Sequence, residues 1–339
     1  MPKYAMIDKS VEILKKLQYP SGVFSASKQN VETGYNKAWI RDCIYETLGL
    51  EATNNTREVV KTFHALFDIF LKHEYKIDHA IANKPEHRYQ YIHARYDPSS
   101  FEEIWEEWGN KQNDAVGAFL FKVGELEEKG IKIIKNNVHR RMLEKLVAYL
   151  NSIEYWQDED NGVWEENEEV HASSVGACVA GLKKISKLVD VPQELIQKGE
   201  ETLNNLLPRE SVTKETDLAL LSLIYPFAVT TKEQTKQILA NVEKHLVKER
   251  GVCRYLGDYY YNNGKDAEWC MGFPWLAIIY GQLNKPRKYA EYMRKTMDIM
   301  TEDGEIPELY YGESKTFNEN TPLGWAQSLY IVAATQKIK

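Results

Sequence analysis

The sequence predicts an all-α protein built as an (α/α)6 barrel, a ring of six inner helices enclosed by six outer ones. Helical patterning covers nearly the whole chain, and no strong strand pattern with hairpin turns interrupts it. The predicted helices also alternate between amphipathic and almost wholly apolar. A helix with one polar face lies at a surface, whereas a helix that is apolar all round is enclosed. The alternation therefore favours the double ring, and an irregular all-α domain remains the alternative.

Twelve helices are predicted, and no Pro-, Gly- or Ser-rich linker separates them, so residues 1–339 are expected to form one domain. The predicted helices are 6–17, 39–50, 56–74, 113–128, 136–154, 171–188, 192–206, 215–225, 231–246, 267–283, 286–300 and 322–336. Start signals support several of them. Thr231 with Gln234 fits a capping box, and Asp190 and Asn284 each stand two residues before a proline suited to a first turn.

The odd-numbered helices are the amphipathic ones, as in Arg57–Phe67, where apolar residues recur at helical spacing between charges. The even-numbered ones are rich in small apolar residues, as in Ala172–Leu182 and Ser328–Ala334. In such a barrel, the loops that lead from each outer helix into the next inner one share one face. Five of these loops hold the unusual residues, at 35–42, 105–114, 156–166, 254–258 and 305–325.

All eight tryptophans fall in these loops or in the first turns of the inner helices. Core packing alone does not predict that placement, because it would also put tryptophans in the outer helices. The sequence therefore predicts one aromatic-lined pocket at one mouth of the barrel, suited to stacking on sugar rings.

The amino-acid composition excludes some classes of binding partner. The net charge is −7 and the basic residues are dispersed, which argues against nucleic acid or an anionic membrane as partner. Neither an apolar export signal nor a membrane-length apolar run is present, so the cytoplasm is the expected compartment. Four cysteines and eight histidines lack metal-ligand spacing, so no metal and no cofactor is predicted. Self-association into a homo-oligomer is left open.

The stretch Tyr155–Glu166 carries the first candidate for chemistry. Its Asp-Asn-Gly turn ends the preceding helix and presents Trp164 and Glu165 at the end of a loop. Apolar shielding by an indole disfavours a charged carboxylate, which suits a general acid. The alternative is a solvated acidic loop, since residues 158–169 include seven acids.

A second carboxylate is found in Gly304–Gly312. Glycoside hydrolysis with inversion needs a carboxylate that activates water about 6.5–9.5 Å from the acid. Glu308 is the candidate base, because Pro307 stiffens its backbone and tyrosines follow it. Glu305 and Glu313 are competitors that the sequence does not separate from Glu308.

Arg41 and Asp42 stand side by side at the start of an inner helix. Adjacent helical residues do not face each other, so a mutual salt bridge is not expected. Both side chains are instead expected to point into the mouth and to hydrogen-bond sugar hydroxyls. The alternative for Asp42 is a first-turn acid favoured by the helix dipole.

Five pieces of the chain, spread over about residues 20–335, resemble in order and spacing those of the glucoamylases, the family-15 glycoside hydrolases. The pieces are Tyr35-x-x-x-Trp39-x-Arg41-Asp42, Trp108-Gly109-x-x-Gln112-x-Asp114, Trp164-Glu165-Glu166, Arg254-Tyr255-x-x-Asp258 and Glu308…Pro322-Leu323-x-Trp325. The stretch Gly22–Tyr45 also resembles the glucoamylase-like domain of phosphorylase kinase α and β subunits.

The resemblance implies roles for individual residues. It implies Glu165 as general acid and Glu308 as general base. The other residues it places in substrate binding are Arg41, Asp42 and Arg254 around the terminal glucose, Glu166 at the next sugar, Trp108 near the acid, and Tyr35, Trp39, Trp164 and Trp325 along the pocket. Two departures, Leu309 in place of a usual Gln and Asn110-Lys111 in place of Arg-Pro, bear on the sites beyond the first glucose and on linkage preference.

The leading hypothesis is an inverting, exo-acting α-glucosidase that removes glucose from short oligosaccharides. A glucan-binding regulatory module of the phosphorylase kinase type, with no turnover, is the first alternative. A third possibility is an (α/α)6 enzyme that acts on a different sugar.

Overall fold

The computed structural model describes residues 3–105 and 109–338. Within those ranges it has twelve α-helices and two short 3-10 helices, Arg88–Gln90 and Leu218–Leu223. The α-helices are α1 (Lys3–Leu17), α2 (Ile40–Ala52), α3 (Thr56–Lys72), α4 (Glu74–Ala82), α5 (Asn113–Glu128), α6 (Asn137–Ser152), α7 (Ala172–Ile185), α8 (Gln193–Leu206), α9 (Lys232–His245), α10 (Gly272–Gln282), α11 (Pro286–Asp298) and α12 (Gly324–Thr335).

The inner elements form a closed ring. Around it, α2 contacts α5, α5 contacts α7, α7 contacts the 3-10 helix Leu218–Leu223, and that helix contacts α10. The ring closes because α10 contacts α12 and α12 contacts α2. Helices α1, α3, α6, α8, α9 and α11 pack outside it. The predicted all-α class and the six-hairpin arrangement are confirmed.

Burial separates the two layers as the patterning predicts. The inner helix α10 is buried from Gly272 to Gly281, whereas α11 buries only Tyr292 and Thr296 fully. Helices α5 and α7 approach each other closely at two glycines. A methyl group on Gly117 would overlap the backbone of Ala177, and one on Gly181 would overlap the carbonyl of Gly117.

Several predicted helices differ from the structure in type or extent. Segment 215–225 is the 3-10 helix Leu218–Leu223, shortened because Tyr225 precedes Pro226 and a residue before proline avoids the α region. Segment 56–74 ends two residues early at Lys72, and His73 separates it from the unpredicted α4, which begins at Glu74. Segment 267–283 becomes helical only at Gly272.

Two small antiparallel sheets lie before inner helices. Strand β1 (Ala38–Trp39) pairs with β2 (Arg95–Tyr96), and β3 (Glu268–Trp269) pairs with β4 (Leu309–Tyr310). The first sheet leads directly into α2, and β4 follows Glu308. Both sheets therefore position loops at the end of the barrel where the inner helices begin.

Candidate active site

A cavity of about 480 Å³ lies at that end of the barrel. Ten of the eleven residues predicted for the site line it, and they come from five separate stretches of the chain. They are Tyr35, Trp39, Arg41, Asp42, Trp164, Glu165, Glu166, Arg254, Glu308 and Trp325. The eleventh, Trp108, lies outside the described residues.

Glu165 is held by donors from two other loops. Its Oε1 accepts hydrogen bonds from Trp39 Nε1 at 2.7 Å and from Gln112 Nε2 at 2.8 Å, and Arg41 lies 3.5 Å away. The backbone of Glu165 has a φ of 64°, in the left-handed region that non-glycine residues rarely occupy. A Cβ on Gly109 would lie 2.6 Å from the Glu165 carbonyl oxygen, so a glycine is required beneath this loop.

The indole that contacts the Glu165 carboxylate differs from the sequence expectation. Trp164, the sequence neighbour, turns away and donates its Nε1–H to Asp217 Oδ1 at 2.7 Å. Its ring packs 5.5 Å from Trp269 and 5.3 Å from the guanidinium of Arg254. The indole that hydrogen-bonds to Glu165 is therefore that of Trp39, and shielding of the acid by the Trp164 ring stays a prediction.

Glu308 is completely buried at the cavity wall. Its Oε1 accepts from Tyr35 at 2.6 Å, and its Oε2 accepts from Asn320 at 2.8 Å and from Asn318. Burial raises the pKa of Glu308, while these hydrogen bonds act in the opposite direction by stabilising the ionised form. A second tyrosine, Tyr260, has its hydroxyl 3.4 Å from Glu308 Oε1 and 2.9 Å from the Tyr35 hydroxyl.

The two competing glutamates lie elsewhere. Glu305 pairs with Lys28 at 3.0 Å, and Glu313 pairs with Lys265 at 3.0 Å. Neither lines the cavity. Of the three glutamates, the fold brings only Glu308 to the cavity.

Arg41 and Asp42 both reach the cavity, and each has a different environment. The Arg41 guanidinium donates to Gln112 at 2.8 Å and to Asp114 at 3.2 Å. Burial raises the pKa of Asp42 to about 7, the positive charge of Arg41 lowers it, and the charge of Glu165 raises it further. The cavity thus presents a fixed cation beside a carboxyl that titrates near neutrality.

On the opposite side, Arg254 is clamped by two carboxylates. Asp258 accepts from its Nε and from one terminal nitrogen, both at 2.6 Å, and Glu166 accepts at 2.9 Å. The second Glu166 oxygen accepts from Lys214 Nζ at 2.7 Å. Charge-assisted bonds of this kind fix both side chains as oriented hydrogen-bonding groups on the cavity wall.

The aromatic lining is smaller than the sequence predicts. Trp39, Trp164, Trp269 and Trp325 line the cavity. The remaining described tryptophans do not. Trp105 is 54% exposed, Trp156 lies under Lys198 at 4.5 Å, and Trp275 is fully buried 5.5 Å behind Trp325. For these three, the expected pocket placement is wrong.

Several residues that hold the site were not among those predicted. They are Gln112, Asp114, Asp258, Tyr260, Asn318 and Asn320. The first three stand inside the motifs quoted above. The alternating asparagines after Glu308 had a signal only in their spacing, since residues two apart on an extended chain share a face.

Among the described residues, no group of three or more His, Cys, Asp or Glu side chains could hold a metal ion. In the same part of the chain, none of the helices has the length and apolar character needed to cross a membrane.

Comparison with known proteins gives three kinds of match. The family described as "Glycosyl hydrolases family 15" matches residues 3–338. The α regulatory subunit of phosphorylase b kinase, liver isoform, from Mus musculus is 25% identical over 93% of this chain and 31% of its own length. The corresponding "probable" α subunit from Caenorhabditis elegans is 23% identical over 87% of this chain and 30% of its own length. The chain thus spans about a third of the length of these relatives.

Solved structures share the fold at low identity. A wild-type glycosidase superposes with a TM-score of 0.85 at 17% identity, covering 98% of this chain and 96% of the other. A glucoamylase from Saccharomycopsis fibuligera superposes with a TM-score of 0.72 at 14% identity, covering 100% and 97%. At these identities the likeness concerns the fold.

Proposed function

Since the chain belongs to glycosyl hydrolase family 15, we propose that it is an inverting, exo-acting α-glucosidase that removes terminal glucose from short oligosaccharides. The observation that carries the proposal is the pair of carboxyl groups in one cavity. Glu165 and Glu308 both line it, and each is oriented by a different set of neutral or cationic donors.

In the proposed reaction, Glu165 gives its proton to the glycosidic oxygen as the bond from that oxygen to C1 breaks. Glu308 takes a proton from a water whose oxygen forms the new bond to C1 from the opposite face. The products are β-glucose and the shortened sugar. The proton on Glu308 then passes to solvent, and Glu165 is reprotonated, which completes the cycle.

The environment of Glu308 suits a base. Tyr35, Asn318 and Asn320 all donate to it, so its ionised form is hydrogen-bonded on both oxygens. Burial behind these groups excludes solvent, and the raised pKa makes the carboxylate a stronger proton acceptor once it is ionised.

We assign the terminal glucose to Arg41, Asp42 and Arg254, as the family resemblance implies. Buried or half-buried charges are strong hydrogen-bonding partners for hydroxyl groups. The four cavity tryptophans supply apolar faces for the sugar rings. We assign the next sugar to Glu166, which bonds to Arg254 and Lys214.

Proton NMR tests the proposal. The purified protein is incubated with maltose, isomaltose, maltotriose and trehalose, and the anomeric region is followed from the first minutes. β-Glucose appearing first establishes hydrolysis with inversion, and the fastest sugar identifies the linkage. α-Glucose appearing first refutes the inverting assignment.

Substitution of each glutamate tests the catalytic role proposed for it. Glu165→Gln and Glu308→Gln are each expected to lower turnover by roughly 10²- to 10⁴-fold, the range of general acid–base catalysis. Glu305→Gln is the matched control, because this glutamate stands in the same loop but pairs with Lys28 outside the cavity. Near-normal activity in either of the first two variants removes that residue from the mechanism.

A second candidate, a glucan-binding regulatory module, is favoured by the curated relatives, which are regulatory subunits of phosphorylase b kinase. It uses the same cavity without turnover. Calorimetric binding of maltotriose together with no glucose release from any of the four sugars would support this candidate over the enzyme.

A further inference from the structure

The segment Glu210–Asp217, which joins α8 to the 3-10 helix, packs behind the loop that carries Glu165. We call it the bracket segment. It holds the base of the loop at two points, since Glu210 accepts from the backbone N–H of Ser173 at 3.1 Å and the Thr213 backbone N–H donates to Glu169 at 3.1 Å. These contacts fix where the bracket segment lies relative to the loop.

Two further contacts from the bracket segment fall on the residues immediately before and after Glu165. Asp217 accepts the indole N–H of Trp164 at 2.7 Å, and Lys214 donates to Glu166 Oε2 at 2.7 Å. The side chains of Asp217 and Lys214 are both well buried. Asp217 is completely inaccessible, and the Lys214 side chain is 11% exposed with its Nζ 4.1 Å above the ring of Tyr255.

The backbone of Glu165 has an unfavourable conformation that its surroundings must stabilise. A φ of 64° is uncommon for a residue with a Cβ, and such a conformation persists only where its surroundings enforce it. Its amide makes a 3.3 Å hydrogen bond to the Gly162 carbonyl, at the long end of the range. The side chains on either side are therefore the natural anchors for this peptide.

We propose that Asp217 and Lys214 are positioning residues, which anchor Trp164 and Glu166 and thereby hold the Glu165 carboxyl where it meets the glycosidic oxygen. The inference rests on the proposed function for its kinetic consequence. Neither residue lines the cavity, so each acts through its neighbour in the loop rather than on the substrate.

Two substrates with different leaving groups distinguish a misplaced general acid from a general loss of activity. A sugar leaving group needs protonation of its oxygen as the bond breaks, whereas fluoride leaves as a weak base without it. Loss of the bracket contacts should therefore impair hydrolysis of an oligosaccharide and spare hydrolysis of α-glucosyl fluoride. Attack by water at C1, which Glu308 assists, is common to both substrates.

The experiment measures kcat/KM of Asp217→Ala and Lys214→Met on the fastest oligosaccharide and on α-glucosyl fluoride. For Asp217→Ala we expect a loss of roughly 10²-fold on the oligosaccharide, the size of effect that misplacing a catalytic group causes, and little loss on the fluoride. Lys214→Met should show the same pattern to a smaller degree, because Arg254 still holds Glu166. Asp217→Asn and Lys214→Arg keep an acceptor and a cation and should restore the oligosaccharide rate.

Asp217 also caps the 3-10 helix by accepting from the Ala219 N–H, so its loss could weaken folding. Trp164→Phe removes the same indole hydrogen bond and keeps that cap, and its oligosaccharide-specific loss should not add to that of Asp217→Ala. Asn136→Ala is the matched control, since it removes a helix cap on the outer helix α6. Equal losses on both substrates, or no loss on the oligosaccharide, would overturn the inference.

Hydrogen–deuterium exchange decides the matter even without turnover. In Asp217→Ala and in Trp164→Phe, exchange of the peptide spanning residues 160–169 should accelerate while exchange elsewhere in the barrel stays unchanged. Unchanged exchange in this peptide would overturn the positioning role. Failure of the unmodified protein to hydrolyse either substrate would refute the proposed function instead and leave the exchange result standing.

Discussion

Removing the Tyr35 hydroxyl should move the acid limb of the pH–rate profile to higher pH. In the proposed mechanism Glu308 acts as an ionised base, so kcat/KM falls as the pH drops through its pKa. The Tyr35 hydroxyl donates to Glu308 Oε1 at 2.6 Å and stabilises the ionised form. Tyr35→Phe removes that donor, which raises the pKa of Glu308, and a higher pH is then needed to ionise the base.

The size of the shift follows from this one hydrogen bond. A hydrogen bond to a charged group contributes about 1.5–3 kcal/mol, and one pKa unit corresponds to 1.36 kcal/mol, so the limit is about one to two units. The Tyr260 hydroxyl, 3.4 Å from Glu308, is placed to replace part of the lost bond. We therefore expect a shift of about one unit.

The assay is kcat/KM on the fastest oligosaccharide across the acid limb, which reports the pKa of the free enzyme. Tyr261→Phe is the matched control, because its hydroxyl belongs to the same tyrosine cluster but bonds to Glu319. An acid limb that stays in place or moves to lower pH in Tyr35→Phe would refute the assignment of Glu308 as an ionised base held by Tyr35.

Three further predictions concern the glycines and a buried ion pair. Gly117→Ala should lower the free energy of unfolding by about 1–3 kcal/mol, because its methyl would overlap the backbone of α7; a wild-type denaturant midpoint would contradict this. Gly109→Ala should lower turnover more than thermal stability, since its methyl would lie 2.6 Å from the Glu165 carbonyl oxygen; unchanged kcat would argue against a close approach there. His171 is buried, which lowers its pKa, but its hydrogen bond to Glu210 and the negative charges of Asp160 and Glu210 raise the pKa to about 9. Its stabilising contribution should be complete below about pH 6.5 and lost as the pH rises through 9, so the difference in Tm between the wild type and His171→Gln should shrink over that range; a constant difference would count against the pair.

The fold could be predicted because burial on all sides is visible in the composition of a helix. The inner helices are apolar all round and alternate with amphipathic ones, and this alternation favours the ring over an irregular all-α domain. The missed elements depend on context. The 3-10 helix Leu218–Leu223 has the apolar composition of an inner helix, but Pro226 and the Asp217 cap confine it to six residues. Helix α4 has a mixed pattern with no cap signal, so the sequence does not predict it.

Most residues of the site could be predicted from the sequence, but the contacts between them could not. The motifs place Glu165 and Trp39 in the same cavity, yet only the fold shows that the two bond to each other while Trp164 turns to Asp217. Adjacent residues in a turn point in different directions, so nearness in sequence is a poor guide to contact. The choice of Glu308 over Glu305 likewise depends on which carboxyl the β3–β4 pairing turns inward.

The contact between α2 and α12 has a consequence for the order in which the barrel is assembled. Ring closure joins segments almost 300 residues apart, so the chain must form one of its most distant pairings to enclose the cavity. Pairings over such long separations slow folding, because loop entropy is lost before contacts compensate for it. Glu308 and Trp325 follow the Glu165 half of the cavity in the chain, so they are synthesised after it. Before these residues are synthesised, the Glu165 half of the cavity has apolar inner faces that nothing covers. Exposed apolar surface of this kind promotes aggregation of the nascent chain.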